Sequence, residues 1–128
     1  MARHGLRGEV VQGVIQRLGA DKLIDDVAFA AFWVENRSAF RPRGRRALRV
    51  ELRQKGVSDE VIETVLEKVD ELSDGRRAAV QKMSRLQGLP ASEWRQKMRE
   101  FLSRRGFDYE IINDVIEEMV QEKYDHND

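Results

Sequence analysis

Lys55-Gly56-Val57-Ser58-Asp59-Glu60-Val61-Ile62-Glu63-Thr64-Val65-Leu66 returns fifty residues later as Arg105-Gly106-Phe107-Asp108-Tyr109-Glu110-Ile111-Ile112-Asn113-Asp114-Val115-Ile116. A third copy, His4-Gly5-Leu6-Arg7-Gly8-Glu9-Val10-Val11-Gln12-Gly13-Val14-Ile15, stands fifty-one residues before the middle one. The glycine, the apolar residue after it, the glutamate and two apolar pairs keep register in all three, and self-similarity at a fixed period marks a repeat architecture. In the middle copy Val61, Ile62, Val65, Leu66 and Val69 fall at i, i+1, i+4, i+5 and i+8, which is helical spacing. Ser58 and Asp108 stand where an N-cap oxygen accepts a backbone N–H, and Gly56 and Gly106 where the preceding helix ends in a left-handed residue. Each copy therefore reads as a glycine turn followed by a helix.

First helices precede two of these turns, over residues 45–55 and 95–105, with Leu48 matching Met98 and Leu52 matching Leu102. A third helix is expected over 27–39, with Asp25 as its N-cap. Because Val27, Ala30, Ala31 and Val34 add apolar groups to sides other than that of Ala28, Phe29, Phe32 and Trp33, it is expected to be the most enclosed helix in the protein. Asp74 is expected to open its more polar counterpart over 75–86. Pro42 and Pro90 fall in loops leading into first helices, where a missing N–H costs little. The expected fold is all-α, an elongated and curved array of tandem three-helix repeats with a period of fifty residues, divided 1–40, 41–88 and 89–128. The first repeat is expected to lack its first helix.

Composition narrows the function. The chain has 128 residues, 23 Lys+Arg against 23 Asp+Glu, 36% charged residues, two His and no Cys. Absence of cysteine excludes a disulfide framework and a thiolate metal site, and fits a reducing cytoplasm. The longest apolar run, 27–34, falls short of the ~20 residues that span a bilayer. Neither a membrane span nor a secretory leader is expected. His4 and His126 lie near the termini, so a Ser-His-Asp relay or a histidine-rich zinc site has little to draw on. No GxGxxG or GxxxxGK[ST] loop occurs among the nine glycines. The carboxylates alternate with Lys and Arg as on solvated helix faces. No enzyme, cofactor or metal is expected.

Three stretches carry a resemblance: Leu23-Ile24-Asp25-Asp26 with Phe29-Ala30; Pro42-Arg43-Gly44-Arg45-Arg46 leading into Glu51-Leu52-Arg53-Gln54-Lys55-Gly56-Val57; and Phe101-Leu102-Ser103-Arg104-Arg105-Gly106-Phe107. In this order they resemble the RecX regulatory proteins, bacterial modulators of the RecA recombinase. The resemblance implies tandem three-helix repeats that bind the RecA filament on single-stranded DNA, lie in its helical groove and reduce its ATPase, strand-exchange and coprotease activities. Members usually carry a further first helix before the position of Arg3.

Charge is segregated although the net is zero. Residues 37–55 hold eight positive residues, Arg37, Arg41, Arg43, Arg45, Arg46, Arg49, Arg53 and Lys55, against Glu51 alone. Residues 95–105 hold Arg95, Lys97, Arg99, Arg104 and Arg105 against Glu100. The second helices are acidic: 59–74 sum to −6 and 108–128 to −7. These thirteen basic residues are the expected contacts to RecA or nucleic acid, and mutual neutralisation of the helices within the fold is the competing role. A helix-turn-helix reader is disfavoured, since its major-groove helix would be the acidic one among phosphates. Pro42-Arg43-Gly44-Arg45 is similar to the core of AT-hook peptides, but it runs directly into helical periodicity. Phe29, Phe32 and Trp33 read as core, Phe40 and Trp94 as interface anchors, and Met83, Met98 and Met119 as packing between repeats. The expected function is that of a monomeric RecA regulator. The alternatives are a nucleic-acid-binding module acting without RecA and a structural repeat adaptor.

Overall fold

The structure, a computed structural model, describes the backbone of residues 13–127 and the side chains of 22–122. Among the described residues six α-helices follow one another: α1 (Gly13–Phe40), α2 (Arg45–Gln54), α3 (Asp59–Leu66), α4 (Glu71–Met83), α5 (Ala91–Arg104) and α6 (Tyr109–Asn127), with a 3-10 turn at Ser84–Leu86. No strand occurs among the described residues, so the chain is all-helical as the repeat predicts. It forms two compact units, one running through Arg37 and again over Arg49–Val69, the other over Ser38–Leu48 and from Asp70 onward.

In the first unit, the Ser58 hydroxyl accepts the Val61 N–H at 3.4 Å and caps α3. Asp59 and Glu60 add negative charge where the unpaired N–H groups of the first turn point outward. Val61, Ile62, Val65 and Leu66 are buried, as are Ala30, Val34, Leu52 and Val57. α2 ends at Gly56, whose φ is +86°, with Val57 N–H donating to the Leu52 carbonyl and Gly56 N–H to that of Arg53, both at 3.0 Å. This is the paired bonding by which a left-handed residue satisfies the last carbonyls of a helix.

The second unit repeats that ending. Gly106 has φ +90°, Phe107 N–H donates to the Leu102 carbonyl at 3.1 Å, and Gly106 N–H to Ser103 at 3.0 Å. Phe107 enters a core made with Ala78 and Ala79 of α4, Leu86 of the 3-10 turn, Met98, Phe101 and Leu102 of α5, and Ile112, Val115 and Ile116 of α6. Trp94 and Met119 pack against it partly buried.

Five expectations are corrected. α1 runs unbroken through Asp25, which is not an N-cap. No glycine or proline interrupts residues 20–40, and an aspartate inside a helix costs at most about 0.7 kcal/mol relative to alanine. Over its described side chains α1 is also not the most enclosed helix: Ile24, Phe29, Phe32 and Phe40 are exposed, and among them only Ala30 and Val34 are buried. Apolar groups on every side of a helix are covered only where a neighbour lies, so Phe29 and Phe32 are not core. α4 begins earlier than expected, because Asp70 caps it by accepting from Ser73 N–H at 3.1 Å, while Asp74 sits buried a turn inside. Met83 is exposed rather than packed, whereas Met98 is fully buried. The repeat copy at 4–15 falls outside the described residues except for 13–15, which begin α1.

Candidate functional site

The basic residues separate by what they touch. In the first unit Arg49 forks onto Glu63, with Nε at 2.6 Å and Nη2 at 3.1 Å from its two oxygens. That fork holds the Glu63 carboxyl below its ordinary pKa. Arg53 Nε donates to Asp59 at 2.8 Å. Glu51 Oε1 accepts from Arg37 Nε at 3.1 Å and from Trp33 Nε1 at 2.8 Å. The Arg37 guanidinium and the Lys55 ammonium stand 4.9 and 5.0 Å from the Trp33 ring centroid, a cation–π arrangement. These cations of α1 and α2 thus have partners in their own unit.

Several cations of the second unit are likewise taken up. Buried Glu71 accepts the Arg45 backbone N–H at 3.1 Å, capping the start of α2, and meets Arg45 Nη1 at 3.5 Å. Arg46 Nη2 donates to the carbonyls of Ser103 and Phe107 at 3.3 and 3.0 Å. Arg95 reaches Glu117 at 3.5 Å and Arg99 reaches Asn113 at 2.7 Å. Arg76, outside the expected set, forks onto Glu118 at 2.7 and 2.9 Å and lowers that carboxyl's pKa. Asp74 accepts from Ser38 Oγ at 2.7 Å and from Arg77, but its burial outweighs them and raises its pKa.

What remains is a corner built by the backbone. Gly44 N–H donates to the Arg105 carbonyl at 2.9 Å and Arg46 N–H to that of Gly106 at 3.2 Å, so the loop before α2 lies directly on the end of α5. A Cβ on Gly44 would stand 2.2 Å from the Gly106 oxygen, and one on Gly106 would stand 2.3 Å from the Ala47 Cβ. Only two glycines allow that approach. It gathers Arg41 and Arg43 of the loop, Arg104 and Arg105 of the α5 end, and Arg85 of the 3-10 turn. Arg105 stacks its guanidinium 4.8 Å from the Phe101 centroid, and its Nη1 is buried without a hydrogen-bond partner. Burial first, then the positive charges of Arg41, Arg43, Arg85 and Arg104, depress its pKa. Among the described residues Arg41, Arg85, Arg104 and Arg105 form no ion pair.

The structure thus brings Arg41, Arg43, Arg104 and Arg105 together and engages Arg37, Arg45, Arg46, Arg49, Arg53, Lys55, Arg95 and Arg99 elsewhere; Lys97 is exposed on α5. Arg85 was not expected, and the fifty-residue offset gives no signal for it, since it falls on Glu35. Pro42 and Gly44 are buried, unlike a free minor-groove arm. Among the described residues no group of three His, Cys, Asp or Glu is placed to hold a metal, and no helix is long and apolar enough to cross a membrane.

Fold and site together define an all-helical repeat protein in which Arg41, Arg85, Arg104 and Arg105 form no ion pair among the described residues. Two family models match the chain: the second three-helix domain of RecX over residues 25–66 and the third over 70–116. It is similar to the Regulatory protein RecX of Chlorobium limicola, with 36% identity over 94% of this chain and 76% of the relative. Against that of Prosthecochloris aestuarii the identity is 35%, over 94% of this chain and 79% of the relative. A crystal structure of RecX from Lactobacillus salivarius shares the fold, with a TM-score of 0.68 at 23% identity over 88% of this chain and 78% of that one. The chain belongs to the RecX family of regulatory proteins.

Proposed function

We propose that this chain binds the RecA filament on single-stranded DNA and lowers its recombinase, ATPase and coprotease activity, acting as a monomer in cytoplasmic DNA repair and the SOS response. Family membership supports the regulatory role. The observation that carries the contact is the arginine corner: in a chain with 23 basic and 23 acidic residues, Arg41, Arg85, Arg104 and Arg105 are left without carboxylate partners among the described residues. A filament presents acidic protein surface and strand phosphates, and concentrated charge of opposite sign steers and orients such an encounter. Arg43 belongs to the same contact, with exposed Lys97 at its margin. Arg37, Arg45, Arg46, Arg49, Arg53, Lys55, Arg95 and Arg99 contribute mainly through the fold, since each already has a partner in it.

The test is the single-strand-dependent ATPase of the cognate RecA with the chain added below stoichiometric ratio. A progressive fall in hydrolysis is expected. Unchanged hydrolysis, with the chain folded by circular dichroism, overturns the proposal.

A further inference from the structure

We infer that residues 38–48 form a coupling strap, a piece of the second three-helix domain that is built into the compact unit of the third, so that the two domains loosen together or not at all. Such a strap operates whatever the regulator binds.

Three observations carry it. The first is where the compact units divide. The second family domain covers 25–66, yet its residues 38–48 belong with Asp70 onward, while 49–66 return to the unit that holds α1 through Arg37. The chain enters the strap between Arg37 and Ser38, inside α1, and leaves it between Leu48 and Arg49, inside α2. Intrahelical hydrogen bonds run across both crossings, so neither is a loop-like hinge. The second is how the strap is held. Gly44 N–H donates to the Arg105 carbonyl at 2.9 Å, Arg46 N–H to that of Gly106 at 3.2 Å, and Arg46 Nη2 to those of Ser103 and Phe107. Pro42, Gly44 and Leu48 are buried. The fit has no slack at Gly44, where a Cβ would stand 2.2 Å from the Gly106 oxygen. The third is a pair of carboxylates. Among the described residues Glu71 and Asp74 are the charged residues that are buried, one turn apart on α4. Asp74 accepts the Ser38 hydroxyl at 2.7 Å at the start of the strap, with Arg77 bonded to both, and Glu71 accepts the Arg45 N–H at 3.1 Å near its end. A buried carboxylate is tolerated only while its donors are in place, so a docked strap that loses either bond buries an unsatisfied charge. Partial docking is therefore disfavoured.

The experiment uses the full chain labelled with fluorotryptophan. Its two tryptophans give one fluorine NMR resonance from each unit: Trp33, bonded to Glu51 in the first, and Trp94, packed on the core of the second. In urea both folded resonances are expected to disappear at the same midpoint. Gly44→Ala puts no strain on the backbone, because φ at Gly44 is not positive, and blocks docking by its Cβ alone. It is expected to lower the Trp94 midpoint by roughly 1 M urea, as an overpacking cost requires at ordinary denaturant slopes, and to separate it from that of Trp33. Gln54→Ala, on α2 beyond the strap, is expected to keep the two midpoints together. Should Gly44→Ala not fold, the Ser38→Ala, Glu71→Gln chain removes a bond at each end of the strap and is expected to separate them in the same sense. Hydrogen exchange of the unsubstituted chain gives a reading that needs no variant. The Gly44 and Arg46 amides are expected to exchange within roughly tenfold of the amide of buried Ile116 on α6, because they open only with the whole unit. Midpoints that already differ in the unsubstituted chain, that stay together in the strap variants, or that part as far in Gln54→Ala overturn the inference. So do strap amides that exchange about a thousandfold faster than that of Ile116.

Discussion

Gly56 and Gly106 end α2 and α5 in the same left-handed conformation with the same pair of hydrogen bonds, yet their surroundings are opposite. A Cβ on Gly56 would meet nothing within 4 Å, whereas one on Gly106 would strike Ala47. The residue that follows each glycine sharpens the contrast: Val57 is buried in the first unit, while the larger Phe107 is wholly enclosed in the core of the second. The arginines divide in the same way. Before the first turn, Arg49 and Arg53 meet Glu63 and Asp59 of the adjoining helix. At the second turn, Arg104 and Arg105 join Arg41 and Arg85 without a carboxylate partner among the described residues. Repetition reproduces the turn, and what packs on the turn decides whether its cations stabilise the fold or face outward.

Substitutions that weigh the two turns against each other break or sharpen this comparison. Phe107→Ala is expected to cost about 4 kcal/mol in urea unfolding and Val57→Ala about 2, and equal losses would contradict the different enclosure of the two turns. Gly106→Ala combines left-handed strain with a clash and is expected to cost about 3 kcal/mol, against about 1 for Gly56→Ala, which carries the strain alone. A smaller cost at Gly106 than at Gly56 would mean that the loop before α2 does not lie on α5. Next comes Asp74, whose burial raises its folded pKa above the ordinary 3.8. As pH rises through that interval the unfolded chain loses this proton before the folded one does, so ionisation of Asp74 works against folding. Relative to the unsubstituted chain, Asp74→Asn is therefore expected to gain stability as pH rises above 3.8 through the raised folded pKa, and a difference independent of pH would refute the assignment. The smallest effect belongs to Arg49→Gln. Its pair with Glu63 is largely solvated, so the loss is expected to stay below about 0.5 kcal/mol at moderate salt. Glu63 has a depressed pKa, so this contribution is present above pH 4.5 and fades as pH falls through the folded value.

The turns were legible in the sequence because their requirements are local. A left-handed residue at Gly56 and Gly106, a capping hydroxyl at Ser58 and apolar spacing over 61–66 each follow from a few neighbouring residues. The continuity of α1 was not legible in the same way. Asp25 satisfies the preference for an N-cap, and only the path of the chain on both sides shows that the helix does not begin there. Asp70 and Asp74 present the same ambiguity four residues apart. A periodic sequence can also be divided at any phase: 41 and 89 cut the repeat at first helices, whereas the family domains begin at 25 and 70. The candidate site was half visible. Sums of charge by segment state that a basic helix attracts an acidic one, but not which arginines are left over once side chains pair. Reversing Arg45, Arg49 and Arg53 to Glu, the substitution that segment charge recommends, would set three carboxylates against Glu71, Glu63 and Asp59 and disturb the fold itself. Arg85 enters the corner only through folding.

Co-sedimentation with the RecA filament on single-stranded DNA, comparing Arg49→Gln, Arg53→Gln with Arg85→Gln, Arg104→Gln, tests the central claim most directly. Both variants remove two positive charges. Binding is expected to survive loss of the first pair, whose partners lie within the fold, and to fall roughly tenfold or more on loss of the second, which faces outward. Equal binding by the two variants, or loss confined to Arg49 and Arg53, would contradict the account.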